Sequence, residues 1–424
     1  MDAIQRLLST VELPKMFRAR QSFPVKSVAD VRGAVFETLA TCPAYAAIEP
    51  GMRLAITVGS RGLSSLPVLV RALVDALRAK SAVPFVIPAM GSHGGGSAEG
   101  QREMLATLGV SEQSVGCPVR SSMEVVRIGA LADGFPVYMD RFAYEADGVV
   151  LFNRIKPHNG FRARHESGLL KMLAIGLGKH KGAESSHTLG FGQMGRIIEE
   201  VSSVVLQTGK VKLALGTIEN SRHQVGELVA CGPDDLFETD EKGLQTAWKL
   251  MPRLLVDSLD LLIVNEIGKE FSGGGMDNNI VGRYSTPFIH GGPEINKIVA
   301  LDLTDKSKGN ASGMGVLDFI PDALVGKIDL EKTYTNNLTS KATASGRIPI
   351  HLPTEEMVIR AGLKTCTAPD AGKARVMRIK NTLELEEVLF SEALLPEARE
   401  HPSIEILGDP EPMRFGADGK LAHF

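Results

Sequence analysis

The chain has 424 residues, 43% of them hydrophobic and 23% charged, with a formal net charge of −3. These are the values of a globular protein long enough for two domains, and they give no electrostatic case for binding nucleic acid or an anionic membrane. One Trp and five Tyr leave little for a base-stacking surface. No apolar run approaches the length of a membrane span, and the first residues, MDAIQRLLSTVELPKMF, lack the apolar core and cleavage site of a signal peptide. The four cysteines (Cys42, Cys117, Cys231 and Cys366) are scattered and form no CxxC pair. They read as reduced thiols of a cytoplasmic protein.

In chain order, Val31 to Leu39 has helical spacing, and Pro43 closes it. Arg53 to Val58 is a strand followed by the turn Gly59-Ser60-Arg61-Gly62. Apolar residues then recur at helical spacing from Leu66 to Ala79. Val83 to Pro88 is the next strand. It runs into Gly91-Ser92-His93-Gly94-Gly95-Gly96-Ser97, where Ser97 is placed to cap a helix; Gly100 at the third helical position excludes a capping box. Gly148 to Phe152 reads as a buried strand. A helix over Met194 to Leu206, a strand over Val211 to Gly216 and a helix over Leu244 to Met251 follow. Strands are expected at Leu259 to Asn265, Ile298 to Leu303, Ala374 to Ile379 and Glu387 to Phe390.

Strand, loop and helix in repeated succession predict an α/β fold: two α/β domains with largely parallel sheets, divided as 1–255 and 256–424, and an active-site crevice between them. In such sheets ligands bind beyond the carboxyl ends of the strands. Arg61, His93 and the stretch 153–187 all follow strands in that position.

The stretch 153–187 is the densest in chemistry. It holds four of the ten histidines (His158, His165, His180 and His187), seven Lys or Arg residues, and only Glu166 and Glu184 to oppose them. The plain alternative is a solvated basic face, with Lys171 an ordinary surface lysine. A histidine inside a Gly-rich turn, as at His93, is poorly placed to fill a core, so it is a candidate for function. The glycine loop matches neither GxxxxGK[ST] nor GxGxxG. No HExxH occurs, and the histidines lack i, i+4 ligand spacing. A zinc hydrolase using His93, His158 and His187 is the alternative enzyme reading, which nothing in this spacing supports, and a non-catalytic small-molecule-binding homologue is a third. Gly275 to Asn279 lacks the spaced acids of a calcium loop; it reads as a turn cluster whose Asn residues and Arg283 face the crevice. Glycine content suggests that 272–285 covers the site.

At these residues the chain resembles the nickel-dependent lactate racemase family. Four pieces occur in order: Ser60-Arg61 after the first strand, Gly91-Ser92-His93 after the second, Pro157-His158 before Ser167-Gly168-Leu169-Leu170-Lys171, and His187 sixteen positions after that lysine. Leu169-Leu170 stand where the family has Gly-Arg, and Val58-Gly59 where it has an Asp, which marks a distant branch. The resemblance implies a nicotinic-acid-derived nickel-pincer nucleotide attached covalently at Lys171, with nickel held by the cofactor and His187. It implies His93 and His158 as the acid/base pair, Ser167 and Gly168 beside the cofactor, and Arg61 on the substrate carboxylate or a cofactor phosphate. Arg283 and Lys297 are lesser candidates for substrate binding. The implied reaction is racemisation or epimerisation at C2 of a small 2-hydroxy acid (lactate, malate or an aldonate), with cofactor-building enzymes as partners.

Overall fold

The structure is a computed structural model that describes residues 2–60 and 62–422. Two compact units divide it: residues 24–251, and residues 1–23 with 252–424.

Residues 24–251 build a five-stranded sheet in the order Val83–Pro88, Arg53–Val58, Gly148–Arg154, Val211–Glu219, Val225–Cys231. The first four strands are parallel and the last is antiparallel to its neighbour. The strands read as near-continuous apolar runs because both faces are covered, as parallel sheets require. Alternation sorts them between two cores. Ala55, Val149, Leu151 and Ala214 face the core shared with helices Met194–Gln207 and Leu236–Leu250. Leu54, Ile56, Val58, Val150, Phe152 and Leu213 face the core of helices Val31–Ala40 and Leu66–Ala79. A two-stranded ribbon, Val125–Ala130 with Pro136–Asp140, stands apart from this sheet.

The chain leaves Arg53–Val58 for the edge strand Val83–Pro88, then returns to the other side of Arg53–Val58 at Gly148–Arg154. The strand order thus reverses between Arg53–Val58 and Gly148–Arg154. The carboxyl ends of those two strands flank the position where open α/β sheets hold ligands.

The other unit carries a nine-stranded sheet. Strands Ile350–Leu352, Phe319–Pro321, Glu294–Leu303, Ser258–Ile267 and Val376–Ile379 are parallel neighbours. Glu387–Ser391, Lys15–Gln21 and Ile404–Ile406 extend it antiparallel. Lys15–Gln21 pairs with Glu387–Ser391 from Met16 opposite Ser391 to Arg20 opposite Glu387, which is why residues 1–23 group with 252–424 and not with the residues that follow them. The stretch 272–285 is not an exposed cover. Asp277, Asn278, Asn279, Ile280 and Val281 are buried, and the Asp277 backbone N–H donates to Thr382 Oγ1 at 2.9 Å. No helix among the described residues is long and apolar enough to cross a membrane.

Candidate active site

Three strand ends in the unit 24–251 carry the expected site residues. Beyond Val58 the chain turns at Gly59 and Ser60. Arg61, expected to bind substrate or cofactor, lies outside the described residues. A Cβ added at Gly59 would come 3.5 Å from Met172 Cε and 3.6 Å from Asn153 Oδ1, so this turn sits against both the third strand and the segment after Lys171. The turn is fastened further on, where Ser64 N–H donates to Glu219 Oε1 at 2.8 Å. Glu219 also pairs with Arg154 across the two neighbouring strand ends.

Beyond Pro88, the loop to His93 enters a tight turn, Gly94–Gly96, before Ser97 caps helix Ala98–Thr107 by accepting from Gly100 N–H. Gly94 has φ +66, and a Cβ there would lie 2.6 Å from the Gln101 backbone nitrogen, so only glycine fits. His93 Nδ1 is hydrogen-bonded to Ser60 Oγ. That bond joins the turns that follow the first two strands and fixes the orientation of the imidazole.

Beyond Arg154 the chain folds back on itself. Lys156 N–H donates to Ser167 O at 2.7 Å, and Asn153 Nδ2 donates to Gly168 O at 2.7 Å. The enclosed loop is organised by a residue that the sequence reading counted only as opposing charge. Glu166 is buried. It accepts from the backbone N–H of His158 at 2.6 Å and of Ala163 at 3.3 Å, with Arg162 at 3.5 Å. Burial pushes its carboxyl above the usual glutamate range, against the pull of those donors and of the Lys171 charge nearby. Arg162 also donates to His158 O at 3.1 Å and lies over the Trp248 ring at 4.7 Å. His158 Nδ1 accepts from Gly160 N–H at 3.0 Å, so in the neutral ring the proton is on Nε2. The ring packs on Phe161, centroids 4.4 Å apart, with Phe191 at 6.0 Å.

Lys171 ends a one-turn helix, Leu169–Lys171, and is half-buried. Its start is pinned by Asp240, whose Oδ1 accepts from Leu169 N–H at 2.6 Å. Leu169 and Leu170 are buried core residues. A π-helical turn, Met172–Gly176, follows at once, closed by Leu177 N–H to Met172 O at 2.9 Å. Such turns are rare and concentrate at functional sites. Helix Lys179–Thr188 then carries His187 near its end. The side chain of His187, expected as the metal ligand, lies outside the described residues.

Two histidines of the dense stretch stand apart. His165 is fully buried, 3.4 Å from Asp240 and 3.7 Å from Glu199, with its ring edge-on to Phe237. His180 is exposed beside Glu184. In the other unit, Arg283 donates through Nη1 to Val316 O at 2.9 Å and Asp318 Oδ2 at 2.5 Å. Through Nη2 it donates to Ile295 O at 3.2 Å and to Asn296 O. The guanidinium, expected to grip substrate, is spent on clamping its own unit. Lys297 lies 3.8 Å from the same Asp318. Among the described residues no three His, Cys, Asp or Glu side chains gather as a metal-ligand set.

Residues 9–196, which include every site residue of the unit 24–251 named above as far as His187, match the family model described as lactate racemase N-terminal domain. Among solved structures, the chain is similar to the lactate racemase apoprotein from Thermoanaerobacterium thermosaccharolyticum. Identity is 16%, the match covers 86% of this chain and 94% of that chain, and the TM-score is 0.51. At that identity the likeness speaks for the fold. No curated protein matches the chain.

Proposed function

We propose that the chain, whose residues 9–196 match the lactate racemase N-terminal domain, is a racemase or epimerase inverting C2 of a small 2-hydroxy acid, with a nickel-pincer nucleotide attached at Lys171. The observation that carries this reading is the Ser60–His93 hydrogen bond. It joins the turns of two neighbouring strands beside the reversal of strand order, while the next strand leads to His158 and Lys171.

The residues present suit such a cofactor. Lys171 is a half-buried primary amine close to the buried carboxylate of Glu166, and Ser167-Gly168 offers close-packed backbone beside it. Lys171 would hold the nucleotide, His187 would complete the nickel site, and Ser167 and Gly168 would lie along it. When bound, the group supplies an acceptor for the C2 hydrogen as hydride.

The chain's own work is proton transfer and orientation. Forming a ketone at C2 requires removing the hydroxyl proton, which suits an imidazole with a pKa near neutrality. Restoring the alcohol requires a donor. Two histidines let either enantiomer find a base on its own side, and His93 and His158 take these roles in turn. In the neutral His158 ring Nδ1 accepts from Gly160 N–H and Nε2 carries the proton, so acting as base at Nε2 requires the other tautomer, with the Gly160 contact given up. Arg61 would orient the carboxylate bidentately.

The test uses protein co-expressed with cofactor-building enzymes and supplied with nickel. Enantiopure lactate, malate and an aldonate are incubated in D2O and followed by chiral chromatography and mass spectrometry. Inversion with the C2 hydrogen retained is expected for one of them. Solvent deuterium entering C2 at the rate of inversion would overturn the mechanism. No inversion of any of the three by protein that carries the Lys171 adduct would overturn this substrate class.

A further inference from the structure

Lys179 is a charged side chain with 0% exposure. Its ammonium donates to Pro88 O at 2.8 Å and to Gln101 Oε1 at 2.7 Å, and Asp140 Oδ2 lies 3.4 Å away. Pro88 O and Gln101 Oε1 take two of the ammonium's three donors, and the Asp140 carboxylate supplies the opposing charge. Each comes from a different element: the carboxyl end of the edge strand, the first turns of helix Ala98–Thr107, and the end of the two-stranded ribbon. Burial pulls Lys179 below the ordinary lysine range and pushes Asp140 up, while their mutual attraction opposes both. Lys179 also holds φ +53, a left-handed backbone that lysine rarely adopts. Filling a core needs neither a charge nor that backbone, so packing alone does not account for this residue.

Gln101 is the second part of the device, also with 0% exposure. Its Oε1 faces the ammonium, which turns Nε2 toward the histidine loop. There it donates to Gly91 O at 2.8 Å and His93 O at 3.2 Å. A buried amide with its oxygen committed has one orientation left. The His93 loop is therefore held from beneath by an amide that a buried cation orients. That cation is the first residue of helix Lys179–Thr188, whose last turn carries His187.

We propose that Lys179 and Gln101 are positioning residues of the active site, which hold the His93 imidazole in register with the helix that carries His187. The proposal rests on the reading of His93 as a proton-transfer residue. Neither side chain touches the reacting atoms. They act through the His93 backbone, and so on the Ser60–His93 bond.

The decisive variant is Gln101→Glu. It keeps the volume and an acceptor for Lys179, but turns an acceptor toward two carbonyls where an amide donated. Lys179→Met, which removes the cation, accompanies it. The primary readout is NMR of cofactor-free protein labelled with 13C-histidine, with His93 assigned through His93→Gln and His351 of the other unit as internal control. Circular dichroism and Trp248 fluorescence verify the fold. In Gln101→Glu the His93 titration midpoint is expected to move by about half a pH unit or more, with the His351 signal unchanged. In the loaded enzyme kcat is expected to fall at least about tenfold, since small misplacements of a reacting group are costly. KM is expected to stay within about threefold, the pattern of a lost transition-state interaction.

An unchanged His93 titration in folded Gln101→Glu would overturn the proposal, whatever the stability of Lys179→Met. If Gln101→Glu does not fold, hydrogen exchange of the Gly91 and His93 amides in folded Lys179→Met decides, and unchanged protection there would overturn it. Failure of the racemase reading looks different: loaded wild-type protein would invert no acid while the His93 signal still answered to Gln101.

Discussion

Gly168→Ala offers a test whose size can be worked from the structure. An added Cβ would lie 2.1 Å from Asp240 Oδ1 and 2.9 Å from Asp240 Cγ, far inside van der Waals contact. Gly168 has φ −166, extended backbone open to any residue, so the cost is steric and not conformational. The carboxylate cannot retreat freely. Asp240 is 2% exposed, its Oδ1 holds Leu169 N–H at 2.6 Å, and His165 lies 3.4 Å from its Oδ2. Either Asp240 moves and leaves a buried N–H unpaired, or the helix carrying Lys171 shifts. Losing a hydrogen bond to a charged acceptor costs about 1.5–3 kcal/mol. Overpacking a core costs about 1–3 kcal/mol. The two overlap, so about 3–4 kcal/mol is expected for Gly168→Ala. In an Asp240→Ala background the space is vacated, and the same substitution should cost under about 1 kcal/mol, a coupling of at least about 2 kcal/mol. Urea unfolding followed by Trp248 fluorescence reads this directly. Trp248 is the single tryptophan, and it lies on the helix that carries Asp240. An equal cost in both backgrounds would refute the reasoning.

Four further outcomes follow from the same geometry. Burial raises Glu166 above its ordinary 4.5, so the folded state holds that proton more tightly. Its favourable contribution is present below the unfolded value and lost as pH rises through the folded one. Wild type should therefore lose stability relative to Glu166→Gln as pH rises above 4.5, in urea midpoints taken by Trp248 fluorescence, and the opposite slope would contradict the burial argument. Cys117 is pushed up to about 11 and Cys231 to about 12, and Cys42 is buried too. Iodoacetamide at pH ~8 should thus label only half-buried Cys366 in native protein, and a second adduct by mass spectrometry would contradict this. Arg283→Met should destabilise the unit of residues 252–424 by about 2–3 kcal/mol, because Asp318 and three carbonyls lose a charged donor. It should leave adduct formation at Lys171 intact, which thermal unfolding and intact mass together would check. His158→Gln should lower turnover of the preferred acid by about a hundred-fold or more in both directions, and loss in one direction only would contradict a shared acid/base pair.

The strands and helices around the site were legible because each carries one dominant signal. Arg53–Val58 and Val83–Pro88 are unbroken apolar runs, Leu66–Ala79 repeats apolar residues along one face, and Ser97 caps where a serine should. Lys15–Gln21 was not legible. Its residues KMFRARQ alternate with charges, and their partners lie more than 360 positions away. At the site, topology put Arg61, His93 and the stretch 153–187 after strand ends, and the Ser60–His93 bond joins the first two of those turns. The roles of Glu166, Gln101 and Lys179 were not legible, because they come from burial and partners, which no spacing encodes. Arg283 misled for the converse reason: a charge near a glycine-rich loop suggests a ligand, yet four internal acceptors occupy both of its Nη groups. His165, one of four histidines in the dense stretch, packs in the core beside Asp240.

The most direct test is the mass of the protein itself. Wild type and Lys171→Ala are each co-expressed with cofactor-building enzymes and nickel, then measured intact and by peptide mapping. The expected result is a covalent increment on the peptide containing Lys171 in wild type, with bound nickel, and no increment on Lys171→Ala. An increment that persisted on Lys171→Ala, or that mapped to another residue, would contradict the account.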